Sequence, residues 1–358
     1  MKFRSFEYME WAKLVPAAAN NLSRSGMGVP GWDELGVDLR ELALYGDHPY
    51  GYEPLLQAIA ERADTASGNV VIVAGASQAI FLTAAALLEP GDHVLVERPA
   101  YEPLLSVPRV LGAEVSRIER RFEDGYRIDL DRLAASLTPR TKLLVLTNLH
   151  NPSGAFLTRE EIAAVAALAA RTGAYVFVDE VYLEFLDGPK GRTSYGAADN
   201  IIVAGSLTKA YGLAGLRCGW ILPPPPLASL FRHVVDHVFV EHVFMAEQLA
   251  ARIFPRLDDL RRRNQAVIGP NHARVAAFMA AEPRLEWIEP ENGIIAFPRI
   301  NGPGSGDELA RLLKERHETS VVPGRFFEEP RHFRMGFGAA PEVLERGLKA
   351  IGRALGEL

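Results

Sequence analysis

Short β-branched runs alternate with longer stretches of helical periodicity through the middle of this chain. The runs cover residues 70–74, 93–97, 142–147, 175–179, 201–204 and 216–222. Between them lie helix-like stretches, among them 78–88, 159–171 and the segment that follows Pro226. The alternation predicts an α/β lobe on a mostly parallel sheet. In such sheets, ligand-binding groups gather at the carboxyl ends of the strands. The most suggestive residues lie there: Gly75-Ala76-Ser77, Pro99 to Tyr101, Asn151, Asp179, and Ser206 to Lys209.

After about residue 255 the texture changes. A basic, helical stretch (256–279) leads to apolar runs at 285–288 and 294–300, a helix near 307–316, a strand near 332–337 and a closing helix from Pro341. This predicts a smaller α+β lobe. The expected division is an N-terminal arm (1–40) packed on the small lobe, a large lobe (41–254) and the small lobe (255–358). The segment Asn301-Gly302-Pro303-Gly304-Ser305-Gly306 reads as a turn-rich connector, and the prolines at 223–226 end a strand. No internal repeat or low-complexity tail interrupts the pattern.

Composition narrows the class. Across 358 residues, 48% are apolar and 23% charged, with mean hydropathy near zero, as in ordinary globular proteins. The net charge of −6 gives no reason to expect nucleic acid as a partner. Cys218 stands alone, so no intrachain disulfide forms, which fits a reducing cytoplasm. The first residues mix charges early and do not read as a signal peptide, and no apolar stretch is long enough to span a bilayer.

Of 39 basic residues only seven are lysines. One of them, Lys209, follows a β-branched run and precedes a glycine-rich stretch, with Ser206 three residues before it and Arg217 eight after. A lysine so placed suits imine formation. That role requires an amine desolvated enough to lose a proton, with a hydroxyl and a guanidinium close by to hold a phosphate. Gly75-Ala76-Ser77-Gln78 adds a strand-to-helix turn whose N–H groups can face an anion. Alone, that turn reads as an ordinary one with Ser77 as N-cap; with Ser206 and Arg217 it makes an anion site. The pattern points to pyridoxal phosphate (PLP).

Asp179 ends an apolar run, and a carboxylate buried there needs a cationic or donor partner. A protonated pyridine nitrogen would serve; a helix cap, an ion pair or a metal site with Glu180 would also explain it. Tyr182 can donate to the ring's phenolic oxygen or simply fill the core. Asn151 can bond the same oxygen or start a turn, and Tyr101 can stack on the ring or pack in the core. Arg334 is a charge inside an apolar strand. It either faces water from an edge strand or grips a carboxylate in a cleft.

These motifs together resemble the class I/II aminotransferases, PLP-dependent enzymes of fold type I related to aspartate aminotransferase. They occur in order along nearly the whole chain: Tyr45 to Gly51, the 75–78 turn, Gly91-Asp92 to Tyr101, Asn151-Pro152-Ser153-Gly154, Asp179-Glu180-Val181-Tyr182, Ser206 to Arg217, and Pro323-Gly324 to Arg334. The resemblance implies Lys209 as the Schiff-base lysine, Asp179 on the pyridine nitrogen, and Tyr182 and Asn151 on the phenolic oxygen. It implies Tyr101 on the ring face, and Ala76, Ser77, Gln78, Ser206 and Arg217 around the phosphate. Arg334, with Asn151 and Gly26, would hold the substrate. The implied reaction moves an amino group from an L-amino acid to a 2-oxo acid. Tyr45 resembles the tyrosine that reaches the phosphate of the other subunit, which implies a homodimer. Six positions separate Tyr45 from Gly51 where five are common, Leu149 stands where proline often precedes the turn, and Leu56 stands where arginine is frequent.

The same lysine also serves decarboxylases, lyases and cyclising enzymes, because the cofactor supplies the electron sink. A metal hydrolase built on His233 and His237, with Glu241 and His242 nearby, is a rival from another class. It lacks the glutamate that follows the first histidine in zincins, so no metal is expected. A non-catalytic PLP-binding regulator is a third reading, set aside because no DNA-binding domain precedes the lobe.

Overall fold

A computed structural model describes the chain except Met1, Lys2, Arg4 and Asp187 and the side chains of Pro189 and Lys190. Part of the N-terminal segment read above for a leader, Met1, Lys2 and Arg4, thus lies outside the described residues. Among the described residues, fourteen strands occur in chain order. The first is Asn20–Asn21 (β1). Seven build the main sheet: Val71–Val73 (β2), His93–Arg98 (β3), Glu114–Glu119 (β4), Thr141–Thr147 (β5), Tyr175–Asp179 (β6), Ile201–Ser206 (β7) and Gly219–Leu222 (β8). Six short ones follow: Leu285–Glu286 (β9), Ile295–Ala296 (β10), Arg299–Ile300 (β11), Thr319–Ser320 (β12), Val322–Pro323 (β13) and Phe333–Gly336 (β14).

The main sheet runs β2-β8-β7-β6-β5-β3-β4, with every neighbour pair parallel except those of β8. Apart from β4 at the edge, its strands are mainly apolar on both faces because both are covered. Leu144, Leu146, Val176, Val178, Ile201 and Val203 point into one core, under the helices Glu53–Ala63 and Arg159–Ala170. Their alternates Leu143, Val145, Phe177, Ile202 and Ala204 point into the other, under Ala76–Leu87 and Ala228–Phe239. The α/β class with a mostly parallel sheet is the one the alternation predicts.

Two elements differ from the sequence reading. β4 is absent from the predicted strands, because Glu114, Arg117 and Glu119 interrupt its apolar pattern. It lies at the sheet edge, where charges discourage pairing with another chain. The strand expected at 216–222 begins only at Gly219. Arg217 takes a left-handed backbone (φ +51°) and closes a turn by donating from Nη1 to the Ala214 carbonyl (3.2 Å).

Beyond the main sheet, β10-β14-β13 form a small antiparallel sheet beside the 25-residue helix Leu257–Ala281, and β14 is its middle strand. The N-terminal arm joins it: β1 pairs in parallel with β12, and the Leu22 carbonyl accepts the Gly336 N–H (2.7 Å). Further along, the Met27 N–H reaches the Lys209 carbonyl (3.0 Å), so the arm passes from the small sheet to the main one. The helix Glu7–Leu14 is anchored through its first N–H groups. Those of Glu7 and Tyr8 donate to the Glu102 carboxylate at 3.2 and 2.8 Å, where an anion also favours the helix dipole.

Gly336 marks the closest approach of arm and small sheet: a Cβ there would stand 1.9 Å from the Arg24 carbonyl oxygen. Because that neighbour is backbone, Gly336→Ala should cost about 2 kcal/mol or more. Thermal or denaturant unfolding checks this; an unchanged midpoint would contradict the packing.

Candidate active site

At the carboxyl ends of the parallel strands, a cavity of about 610 Å³ opens between the main sheet, β14 and the arm. The sheet topology explains its contents. β3, β5, β6 and β7 end on this edge and deliver Tyr101, Asn151, Asp179 and Ser206. β8 runs the other way, so the residue ahead of it, Arg217, arrives on the same edge as those that follow the other strands.

Lys209 lies three residues past β7 and lines the cavity, its Nζ donating to Ser25 Oγ (3.0 Å). Lys13, Lys142, Lys314 and Lys349 are exposed. Burial lowers the Lys209 ammonium below its ordinary range, with the charges of Arg334 and Arg217 acting in the same sense against Tyr8 and Asp179.

Asp179, at the end of β6, is buried and accepts the Val181 N–H at Oδ1 (3.1 Å). Burial raises its pKa to about 6, Glu97 adds to the rise, and Val181 and Lys209 oppose it. Tyr182 is buried with its hydroxyl outside hydrogen-bonding geometry, although the Ser25 side chain lies close. Tyr101 forms the facing wall, with its hydroxyl toward Met9 Sδ (3.3 Å) and its ring edge-on to Tyr8.

At the other end, the helix Ala76–Leu87 opens on Gly75 without a side-chain cap, so its first N–H groups have no partner within the helix. Ser77 therefore lines the cavity rather than capping the turn. Gly75 has φ +88°, and a Cβ there would meet Arg217 Nη2 at 2.7 Å. Glycine is what lets the guanidinium lie across the turn, where Nη2 donates to the Ala74 carbonyl (2.6 Å). Ser206 Oγ accepts the Thr208 N–H (3.3 Å) beside it. Gln78 stands apart from this group: its Oε1 accepts the Ala74 N–H (2.5 Å), and its side chain holds the turn instead of lining the cavity.

Arg334 is 1% exposed on the middle strand of the small sheet, so the water-facing edge reading fails. Nη1 donates to Asn151 Oδ1 (2.9 Å), and Nη2 to the Tyr8 hydroxyl (2.9 Å) and the Ser23 carbonyl (3.4 Å). Nε is buried without a partner. The guanidinium also lies 5.1 Å from the centre of the Phe327 ring.

Tyr8 and Ser25 were missed by sequence reasoning, and Gly26 stood in for them. Gly26 backs onto Lys209, with its Cβ position 3.7 Å from Lys209 Cα, while its neighbour Ser25 faces the cavity. Glu7–Leu14 reads as a surface helix, and nothing local marks its tyrosine as a partner for a residue 326 positions away. Tyr45 lies outside the cavity and is 82% exposed. His233 and His237 face solvent from the helix Ala228–Phe239.

Residues 19–351 match the family described as aminotransferase class I and II. Capreomycidine synthase from Streptomyces vinaceus is 34% identical, with 90% of this chain and 84% of that protein aligned. An arginine–pyruvate transaminase from Pseudomonas aeruginosa is 32% identical over 86% and 81% of the two chains. A PLP-dependent aminotransferase from Streptococcus suis superposes with a TM-score of 0.93 at 26% identity, covering 100% of this chain and 99% of that one. The PLP-dependent cyclase OrfR superposes at 0.89 with 30% identity, over 100% and 98%. The chain belongs to the class I and II aminotransferases and is an enzyme that works with pyridoxal phosphate.

Proposed function

We propose that this enzyme transfers the amino group of an L-amino acid to a 2-oxo acid in the cavity around Lys209. One observation carries the reading: a lysine with a depressed pKa faces, across a single cavity, a buried aspartate on one side and a buried arginine on the other. PLP, when bound, supplies a carbonyl for the substrate amine and a ring that accepts the electrons of the Cα–H bond. The cavity fits that group. Two polar atoms, Tyr182 Oη and Arg334 Nε, are buried without partners, and Asp179 holds a carboxyl whose ionisation burial opposes.

In this reading Asp179 would accept from the cofactor's pyridinium nitrogen, Tyr182 and Asn151 would donate to its phenolic oxygen, and Tyr101 would stack on its ring. The N–H groups of Ala76 and Ser77, with Ser206 and Arg217, would hold its phosphate. Arg334 grips the α-carboxylate, and Lys209 Nζ takes the α-proton and returns it. Tyr45 reaches the partner's site in a homodimer. In support, the apolar Leu44 and Tyr45, and Val240 and Val243 ahead of the helix that carries Gln248, are each exposed, and Gln248 holds the loop by bonding both the N–H and the carbonyl of Ala43. We also place the arm at 1–40 and the lobe boundary near 254, and assign the enzyme to the cytoplasm. Among the described residues no helix is long and apolar enough to cross a membrane.

A second cavity of about 600 Å³ adjoins the first, sharing Tyr8, Ala12, Lys13 and Ser25. Lys13, Arg24, Arg311, Lys314 and Arg325 line it with one acid, Asp307; Arg325 is ion-paired with Asp307 and Glu7 and Arg311 with Glu315, so the excess positive charge comes from Lys13, Arg24 and Lys314, in a chain of net charge −6. Such a rim attracts anionic 2-oxo acids and disfavours a guanidinium side chain, so the substrate of the Pseudomonas relative is not carried over. A cyclising or lyase reaction is the second reading, favoured by the likeness to OrfR.

Lys209→Ala should lower turnover at least about a thousandfold. A half-reaction assay with an acceptor-dependence control checks this; ammonia release without an acceptor would favour the second reading. Raising salt from about 0.05 to about 0.5 M should lower kcat/KM for the 2-oxo acid more than for an amino acid with a neutral side chain. Steady-state kinetics read the difference. In the cofactor-free protein the Asp179 pKa rises from 3.8 to about 6. The folded state then binds this proton more tightly than the unfolded state, so stability is present below about pH 4 and lost as pH climbs to about 6. Relative to Asp179→Asn, the wild type should lose about 3 kcal/mol over that window. Unfolding midpoints against pH check the sign.

A further inference from the structure

The carboxyl ends of three adjacent strands, β4, β3 and β5, are tied together beneath the cavity by groups the scheme above does not use. Glu97 on β3 is fully buried, as is Arg120, which directly follows β4. Arg120 Nη1 donates to Glu97 Oε2 (2.7 Å), and its Nε to the Tyr126 carbonyl (2.6 Å). Glu97 Oε1 takes both the N–H (2.8 Å) and the hydroxyl (2.5 Å) of Thr147, the last residue of β5. His150 also faces the pair, with Nε2 3.9 Å from Glu97 Oε2, but that nitrogen is engaged with the Pro99 carbonyl (2.9 Å).

The Thr147 hydroxyl is thus spent as a donor on Glu97, so only its lone pairs remain. One of them accepts the backbone N–H of Asn151 (3.0 Å). Asn151 then receives Arg334 Nη1 at its Oδ1, which leaves its NH₂ end for the cavity. Hydrogen bonds therefore link Arg120, Glu97, Thr147 and the Asn151 backbone, and the Asn151 side chain carries the series on to Arg334. Stability does not explain the pair at its head. Burial pushes the Glu97 carboxyl up and the Arg120 guanidinium down, and apolar residues of similar volume would fill the space without that cost. An apolar pair would, however, give the Thr147 proton nothing to point at.

We infer that the buried Arg120–Glu97 pair, acting through Thr147, is a positioning device that fixes the backbone from which the Asn151 side chain reaches the cavity, and with it where the Arg334 guanidinium sits. Glu97 and Thr147 are positioning residues in this sense. The inference rests on the reading that Asn151 and Arg334 meet the cofactor and the substrate carboxylate.

The test uses the cofactor-loaded enzyme and the variants Thr147→Val, Thr147→Ser, Glu97→Gln and the double variant Glu97→Gln/Thr147→Val. Valine keeps the shape and removes the hydroxyl; serine restores it. Thr147→Val should raise the pH midpoint of the bound cofactor's visible absorbance by about one unit, because Asn151 no longer donates in register. It should also raise KM for the amino acid about tenfold while kcat changes less than about threefold. Thr147→Ser should return both to wild-type values. Adding Glu97→Gln to Thr147→Val should shift the absorbance midpoint no further, since both act along one series. A wild-type midpoint and KM in Thr147→Val would overturn the inference, as would a Thr147→Ser variant as impaired as Thr147→Val. The valine–serine comparison decides even if Glu97→Gln fails to fold. Wild-type protein with no pH-dependent band overturns the functional reading along with this one, and it does so before any variant is made.

Discussion

A guanidinium buried in a protein interior must find acceptors or a counter-charge, and Arg334 finds its acceptors on three separate stretches of chain. Asn151 comes from the turn after β5, Tyr8 from the N-terminal helix, and the Ser23 carbonyl from the extended arm. The strand that carries Arg334 belongs to the small sheet. Satisfying one cation therefore requires the main sheet, the small sheet and the arm to be in place together, and the cavity is the space they leave. Helix Glu7–Leu14 in turn depends on Glu102, so this wall of the cavity is held from both ends.

The main sheet contributes direction. Two parallel strands, β6 and β7, and the reversed β8 bring an amine, a carboxyl, a serine hydroxyl and a second guanidinium to one edge within a single cavity. Each is placed by backbone geometry rather than by a flexible loop. Asp179 ends β6, Ser206 ends β7, and Arg217 is fixed by a left-handed residue and a glycine that admits its side chain. Pre-positioning of this kind removes reorganisation from a reaction that must hold a C–H bond at one angle to a ring.

Much of this was legible in the sequence where local rules apply. Tyr175–Asp179 has the bounds its β-branched run suggests, because a strand covered on both faces shows as an unbroken apolar run. Lys209, Asp179 and Arg217 stand out because each is polar where apolar or glycine residues dominate. β4 was illegible, since an edge strand with charged positions resembles a loop. Arg334 read two ways because strand order, which decides whether it faces water, depends on pairings over long distances. Tyr8, Ser25 and Thr147 gave no signal at all. Their roles come from contacts that no local pattern encodes, and Gln78, which sits inside a recognisable motif, spends its side chain on the backbone instead.

The arm between Asn20 and Met27 is bonded to β12 and β14 at one end and to the Lys209 carbonyl at the other. Seven residue steps of chain can span at most about 24 Å. That segment acts as a tether of fixed reach, and its length caps how far the small sheet can swing from the lysine. The spacing between small sheet and lysine is thus measured out in covalent bonds, and removing or adding one residue in this segment would reset the gauge of the whole cleft.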